Sequence, residues 1–184
     1  HLLETGGIDA TLLELPMAVA DLRVMYQTSM NAGLMESFSI LGHKKIYTKA
    51  FLGAAQLDRF GNLNSTCIGD YWHPTVRFSG SGGGGDAACL AAEVIIFMQH
   101  EKRRFVEKVD YLTSPGWLSG PEARGKTGLH RGGPSAVVTN LGIMRFDVKI
   151  FSGGILLMNL PICVFFVASM LSIGMLFRLP KLKA

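Results

Sequence analysis

The sequence predicts an α/β domain with an open, mostly parallel sheet and flanking helices. Two observations carry this expectation. Short apolar runs alternate with glycine turns and helical stretches along the chain, which is the rhythm of strands covered by helices. In addition, "EVIIFMQ" (93–99) sets Val94, Ile95, Ile96 and Phe97 in a row between an alanine-rich stretch and the charged run "HEKRRF", as a strand buried on both faces requires. With 184 residues, 48% of them hydrophobic, the chain can bury one substantial core, so a single domain over 1–184 is expected.

The other elements follow in chain order. "KAFLGAAQL" (49–57) reads as a buried strand ending in small residues, followed by the turn "DRFGNLNS". "TVRF" (75–78) is a candidate strand ahead of the glycine-rich "GSGGGGD" (80–86), and "DAACLAA" (86–92) supplies about two helical turns. The stretch 114–135 carries proline and glycine throughout and reads as loop. "SAVVTNLGIMRFD" (135–147) reads as two strands joined at Asn140, Leu141 and Gly142, a hairpin. The chain shows no internal repeat.

Composition narrows the function. The net charge of +4 suits an anionic partner, but the basic residues are scattered with few aromatics between them. That pattern argues against a nucleic-acid surface and fits a phosphorylated small molecule. Cys67, Cys89 and Cys163 are widely spaced and apolar-flanked, so they form no disulfide framework and no zinc site, and a reducing, cytoplasmic compartment is expected. The chain begins at His1 with no signal-peptide pattern, and an amino-terminal portion is expected to be missing. The segment 154–177 holds no charge, precedes Arg178, Lys181 and Lys183, and has the roughly 20 residues that a bilayer span needs. Asn159 and Pro161 inside it favour a buried strand and helix instead.

Gly80, Gly82 and Gly85 satisfy the G-x-G-x-x-G spacing of a dinucleotide-binding turn. Such a fingerprint needs a full crossover helix after the glycines, and "DAACLAA" is too short before "EVIIFMQ" begins. The loop also lacks the Lys-Ser/Thr of a triphosphate-binding loop. Glycines serve a second purpose, since backbone amides without a neighbouring Cβ can approach a small anionic atom, a developing oxyanion included. Against this stands a plain surface turn.

"FLGAAQLDRFGNLNSTCIGDYWHPTVRFSGSGGGGD" together with "MQHEKRRFVEKVDYLTSPGWLSG" closely resembles the small (B, or beta) subunits of family I CoA-transferases of the glutaconate type. The likeness runs from about 1 to 147. It implies the fold shared by CoA-transferases and the NagB and RpiA proteins. Within "LETGG", Glu4 matches the glutamate of the family's E-S-G or E-N-G motif, which implies that Glu4 is the nucleophile. By the same matching, Gly82 and Gly83 belong to the glycine loop whose amide faces the thioester oxygen. In "GAAQLDRFGNLN", Gln56, Asp58, Asn62 and Asn64 stand at a strand end and turn, where open α/β sheets place ligand contacts, although turn-formers there need no substrate. Of this stretch, Gly53 and Gln56 are taken to line the site. His100, Lys102, Arg103 and Arg104 read as a solvated charge run rather than catalytic residues.

The resemblance implies a transfer of CoA between a dicarboxylic acyl-CoA, glutaconyl-CoA foremost, and a carboxylate such as acetate. It runs through a glutamyl-CoA thioester, with no metal and no permanently bound cofactor, coenzyme A being a substrate. It also implies an alpha subunit that completes the site in a hetero-oligomer. A carboxylate needs no general base for such an attack, because an ordinary glutamate is ionised at neutral pH. The alternative within enzymes is a CoA-thioester or ring-cleaving hydrolase on the same fold. Residues 148–184 depart from the family pattern, and this apolar tail alone suggests a membrane-anchored, noncatalytic interaction protein.

Overall fold

Among the described residues, short apolar runs, glycine turns and small-residue helices assemble into a nine-stranded sheet with two small accessory ribbons. The computed structural model describes residues 1–14, 16–18, 21–146, 156–158 and 176–178.

The chain opens with a tight hairpin, β1 (Leu2–Leu3) and β2 (Gly7–Ile8), followed by the edge strand β3 (Met30–Asn31). Helix α1 (Leu34–Leu41) leads to β4 (Lys49–Leu52). Two antiparallel ribbons come next, β5 (Gln56–Leu57) with β6 (Leu63–Asn64), and β7 (Cys67–Gly69) with β8 (Pro74–Arg77). Helix α2 (Gly84–Leu90) precedes β9 (Glu93–Phe97), and α3 (Pro121–Lys126) precedes the hairpin β10 (Pro134–Val138) and β11 (Ile143–Arg145). The short strands β12 (Leu156–Met158) and β13 (Leu176–Arg178) follow.

The main sheet runs β12-β11-β10-β9-β4-β13-β1-β2-β3. The α/β expectation holds, but the sheet is mixed rather than mostly parallel, with its parallel pairs confined to the centre. There β4, β9 and β10 pair in parallel, and the flanking pairs are antiparallel. Short turns account for β1–β2 and β10–β11, since strands joined by a few residues can only reverse direction. The parallel pairs instead need long connections, and α2 lies on the one between β4 and β9.

Alternation along the central strands places the core. Ala50 and Leu52 of β4 and Val94 and Ile96 of β9 are buried, while Phe51, Ile95 and Phe97 face the other side and are half-buried. Ala87, Ala88 and Ala91 bring α2 close over the buried face, where they join Leu2, Leu41, Met98 and Val137 in one cluster. Each fully buried Leu or Ile contributes about 1.5–3 kcal/mol relative to exposure.

Three local expectations change. The run 49–57 is not one strand, because the chain leaves the sheet after Leu52 and Gln56 pairs with Asn64 in its own ribbon. The stretch 114–135 is not all loop, because Pro121 starts a short helix, as its fixed φ and missing N–H favour at a first helical position. The strand before the glycines, β8, pairs with β7 and lies outside the main sheet, which removes the strand-loop-helix geometry of a dinucleotide fingerprint. Most of the apolar segment 154–177, with Cys163, lies outside the described residues. Among the described residues no helix is long and apolar enough to cross a membrane.

Candidate active site

Strand direction decides where the site sits. β1 is antiparallel to β13 and β13 is antiparallel to β4, so β1 and β4 point the same way. Leu2 is level with Phe177, which is level with Ala50. Two residues further on, Glu4 and Leu52 therefore emerge together at the carboxyl edge of the parallel strands, where open α/β sheets place their ligands.

The turn that presents Glu4 is firmly held. Leu2 and Leu3 are fully buried, and the Gly6 amide donates to the Leu3 carbonyl at 2.9 Å. Gly6 has φ +105, and a Cβ there would lie 1.9 Å from the carbonyl oxygen of Ala32. Only glycine allows that close approach, and the Ala32 amide donates back to the Gly6 carbonyl at 2.9 Å. Glu4 itself is half-buried.

The glycine loop meets this turn. Its base is tied down by the Gly80 amide donating to the Ser65 carbonyl at 3.1 Å and the Ser65 hydroxyl donating to the Gly80 carbonyl at 3.0 Å. From there the chain brings the Gly83 amide to within 3.3 Å of Glu4 Oε1, to which it donates a hydrogen bond. Gly83 is hemmed in, since a Cβ would lie 2.5 Å from Phe38 Cζ and 3.2 Å from Glu4 Cδ. A Cβ on Gly82 would lie 3.7 Å from Glu4 Oε1, an ordinary contact.

Glu4, Gly82 and Gly83 are thus brought together. Gly53 follows β4 at the same edge and is exposed. Among the described residues a Cβ there would meet only the Phe97 carbonyl at 3.5 Å, so they do not themselves require a glycine at that point. Gln56 is placed differently. It is buried, its amide nitrogen donates to Asp110 Oδ2 at 3.0 Å, and its carbonyl oxygen accepts from Asn64 Nδ2 at 2.7 Å and the Asp110 amide at 3.0 Å. Those contacts tie β5 to β6 and to Asp110, and engage both ends of the side chain.

Asp58, Asn62 and Asn64 are spent in the same way. Asp58 accepts from the Phe60 and Asn62 amides and from Asn62 Nδ2, while burial pushes its carboxyl above the usual range despite those bonds. Asn62 Oδ1 accepts from the Gly116 and Leu118 amides. Asn64 Oδ1 accepts from the Thr66 and Cys67 amides. In the basic run, Arg103 and Arg104 both donate to Glu101 Oε2, at 2.7 and 3.1 Å. Among the described residues no group of three or more His, Cys, Asp or Glu is gathered to hold a metal. Phe38 is a site neighbour that the sequence reading misses, although Phe38 and Leu41 stand at the i, i+3 spacing of a helix face.

The model of the coenzyme A transferase family matches residues 2–158. The chain belongs to the coenzyme A transferase family. It is 45% identical over 156 residues to the B subunit of glutaconate CoA-transferase from Acidaminococcus fermentans, covering 80% of this chain and 57% of that protein. It is 40% identical over 144 residues to the B subunit of 3-oxoadipate CoA-transferase from Pseudomonas knackmussii, covering 77% and 55%. The crystal structure of glutaconate coenzyme A-transferase from Acidaminococcus fermentans superposes with a TM-score of 0.75 at 44% identity, covering 79% of this chain and 58% of that one. This member of the coenzyme A transferase family therefore spans little more than half the length of the relatives it matches. The decarboxylase AibA/AibB has the same fold at 20% identity and a TM-score of 0.66, covering 85% and 57%, so the fold alone does not fix the chemistry.

Proposed function

We propose that this chain is the nucleophile-bearing beta subunit of a CoA-transferase. It moves CoA from a dicarboxylic acyl-CoA, glutaconyl-CoA foremost, to a carboxylate such as acetate. The observation that carries this reading is the hydrogen bond from the Gly83 amide to Glu4 Oε1. The similarity to the glutaconate enzyme supports the choice of acid, and the naming of the relatives as B subunits supports an alpha partner that completes the pocket. Cys67 and Cys89 are free thiols, which suits a cytoplasmic enzyme.

The geometry suits the following steps. A Glu4 oxygen adds to the acyl carbon of the thioester, and the tetrahedral oxyanion collapses to a mixed anhydride as the CoA thiolate leaves. Thiolate then attacks the Glu4 carbonyl carbon, pushing negative charge onto the Glu4 oxygen that faces the Gly83 amide. The acyl carboxylate departs and CoA remains as a glutamyl thioester. An incoming carboxylate runs these steps backwards, so thioester energy is conserved without ATP. The Gly83 amide is already aimed at the oxygen where charge develops, and one such donor is worth about 3 kcal/mol of barrier. Binding energy from the long CoA chain can be spent on bringing the reacting ends together.

Hydrolysis finds no such support. Among the described residues Glu4 has no histidine or second carboxylate bonded to it that would activate water. The test uses the complex purified with its alpha partner, supplied with glutaconyl-CoA and isotopically labelled acetate. Labelled acetyl-CoA is expected. Free CoA released without labelled acetyl-CoA would favour the hydrolase and overturn the proposal.

A further inference from the structure

We propose that helix α1 is the strut that sets the distance between the nucleophile and its amide donor, with Phe38 as the positioning residue. This inference rests on the reading of Glu4 as nucleophile.

The glycine loop cannot set that distance alone. Gly80 and Gly82 have φ of +91 and +49, and among the described residues nothing lies within 4 Å of where a Gly80 Cβ would be. The hydrogen bonds to Ser65 hold the loop at its base, but Ser81 and Gly82 beyond it are exposed, and Gly82 has no side chain to lock it, so the base does not by itself fix Gly83. The Gly83 bond at 3.3 Å is already at the long end for N–H···O, so a further small drift abolishes it.

Helix α1 touches both halves of the pair. Its lead-in grips the Glu4 turn through the Ala32 amide on the Gly6 carbonyl at 2.9 Å, and the Ala32 carbonyl fills the space that a Gly6 Cβ would need. In the second turn of the helix, the Phe38 ring tip rests against Gly83. The far end is anchored, because Leu41 is fully buried in the main core and its carbonyl accepts from the buried Thr48 hydroxyl at 2.8 Å. Nucleophile turn and donor amide are therefore both referenced to one rigid element. The ring tip and the Glu4 carboxyl together occupy the space that a Gly83 side chain would take, so Gly83 cannot shift toward either without moving the ring or the nucleophile.

Phe38→Leu tests the contact, since it keeps an apolar side chain in the core but withdraws the ring tip. The whole complex is assayed for CoA exchange at a temperature where wild type and variant are both folded by circular dichroism. The expected result is a kcat roughly 10- to 100-fold lower, with KM changed less than about threefold, as misplacement of a reacting group gives. A second variant keeps the claim open to refutation. Gly83→Ala drives its methyl into the ring, and Phe38→Leu makes room for it, so the double variant is expected to be no slower than Gly83→Ala alone. A Phe38→Leu enzyme with wild-type kcat, or two losses that simply multiply, would overturn the strut. Glu4→Ala, run in parallel, separates the two levels. If it is inactive while Phe38→Leu keeps full kcat, the strut alone is wrong; if Glu4→Ala exchanges CoA at the wild-type rate, the nucleophile assignment falls and takes the strut with it.

Discussion

The Gly83 amide donates to Glu4 Oε1 at 3.3 Å across a sequence separation of 79 residues. A hairpin turn fixed by Gly6 presents the carboxylate, and a loop hung on Ser65 delivers the amide. Neither residue carries a function in isolation. Together they set a carboxylate oxygen against a backbone amide donor, the arrangement that the proposed mechanism uses.

The two loop glycines differ in how much they tolerate. Gly83→Ala places a methyl 2.5 Å from Phe38 Cζ and 3.2 Å from Glu4 Cδ, so it displaces the amide and is expected to lower kcat about 100-fold. Gly82→Ala meets only an ordinary contact at 3.7 Å. Its penalty comes from φ +49, about 1–2 kcal/mol for a side chain in the left-handed region. Steady-state exchange kinetics of the two variants, with thermal melts, should show a catalytic defect for the first and mainly a stability defect for the second.

Gln56 ties the β5–β6 ribbon to Asp110. Its two ends bind Asp110 and Asn64, and Asp110 in turn accepts from the Gly69 amide at 2.9 Å. Gln56→Ala leaves buried partners unsatisfied and is expected to reduce unfolding free energy by about 1–3 kcal/mol. Urea titration of wild type and variant measures this directly.

A second stability prediction concerns pH. Burial alone would raise the Glu93 carboxyl, but Lys49 at 2.7 Å, the Ser135 hydroxyl at 2.6 Å and Tyr47 together outweigh it and hold the group below its ordinary value of 4.5. A carboxyl depressed in the folded state stabilises the fold above its unfolded value, and this stabilisation is lost as pH falls through the folded value. Glu93→Gln should therefore lower the urea midpoint at neutral pH, and the gap from wild type should close in acid below that depressed value.

Arg124 is a buried cation held by carbonyls. It is 1% exposed, and its guanidinium donates to the carbonyls of Ala88, Pro115, Gly116 and Arg131. It thereby ties α2 to the loops on either side of α3, and burial pulls its ionisation below the usual arginine value. Arg124→Met orphans those four acceptors and is expected to destabilise the fold by roughly 3 kcal/mol or more, read as a shifted denaturation midpoint.

Much of this architecture is legible in the residues. The apolar row at 94–97 and the Asn-Leu-Gly turn at 140–142 mark β9 and the β10–β11 hairpin, because burial and turn chemistry are local signals. The breaks at 53–55 and the helix at Pro121 are not, since each depends on partners far away, Asn64 and the carbonyls that receive Arg124. Glu4 and the glycine loop come from motif resemblance, and no spacing rule joins residues 4 and 83. Asp58, Asn62 and Asn64 look like ligand contacts in sequence because a polar cluster at a turn carries the same letters whether it binds substrate or its own backbone. Phe38 escapes notice for a related reason, as an aromatic on a helix face says nothing of the glycine it rests against.

In the proposed mechanism Glu4 accepts coenzyme A covalently. The direct measurement is to mix the complex with acyl-CoA in the absence of acceptor acid, reduce with borohydride, digest, and map the modified residue by peptide mass. Conversion of Glu4, and of no other carboxylate, to the corresponding alcohol is the predicted result. An unmodified Glu4 in a preparation that exchanges CoA once acceptor acid is added would mean that Glu4 is not the residue that carries coenzyme A.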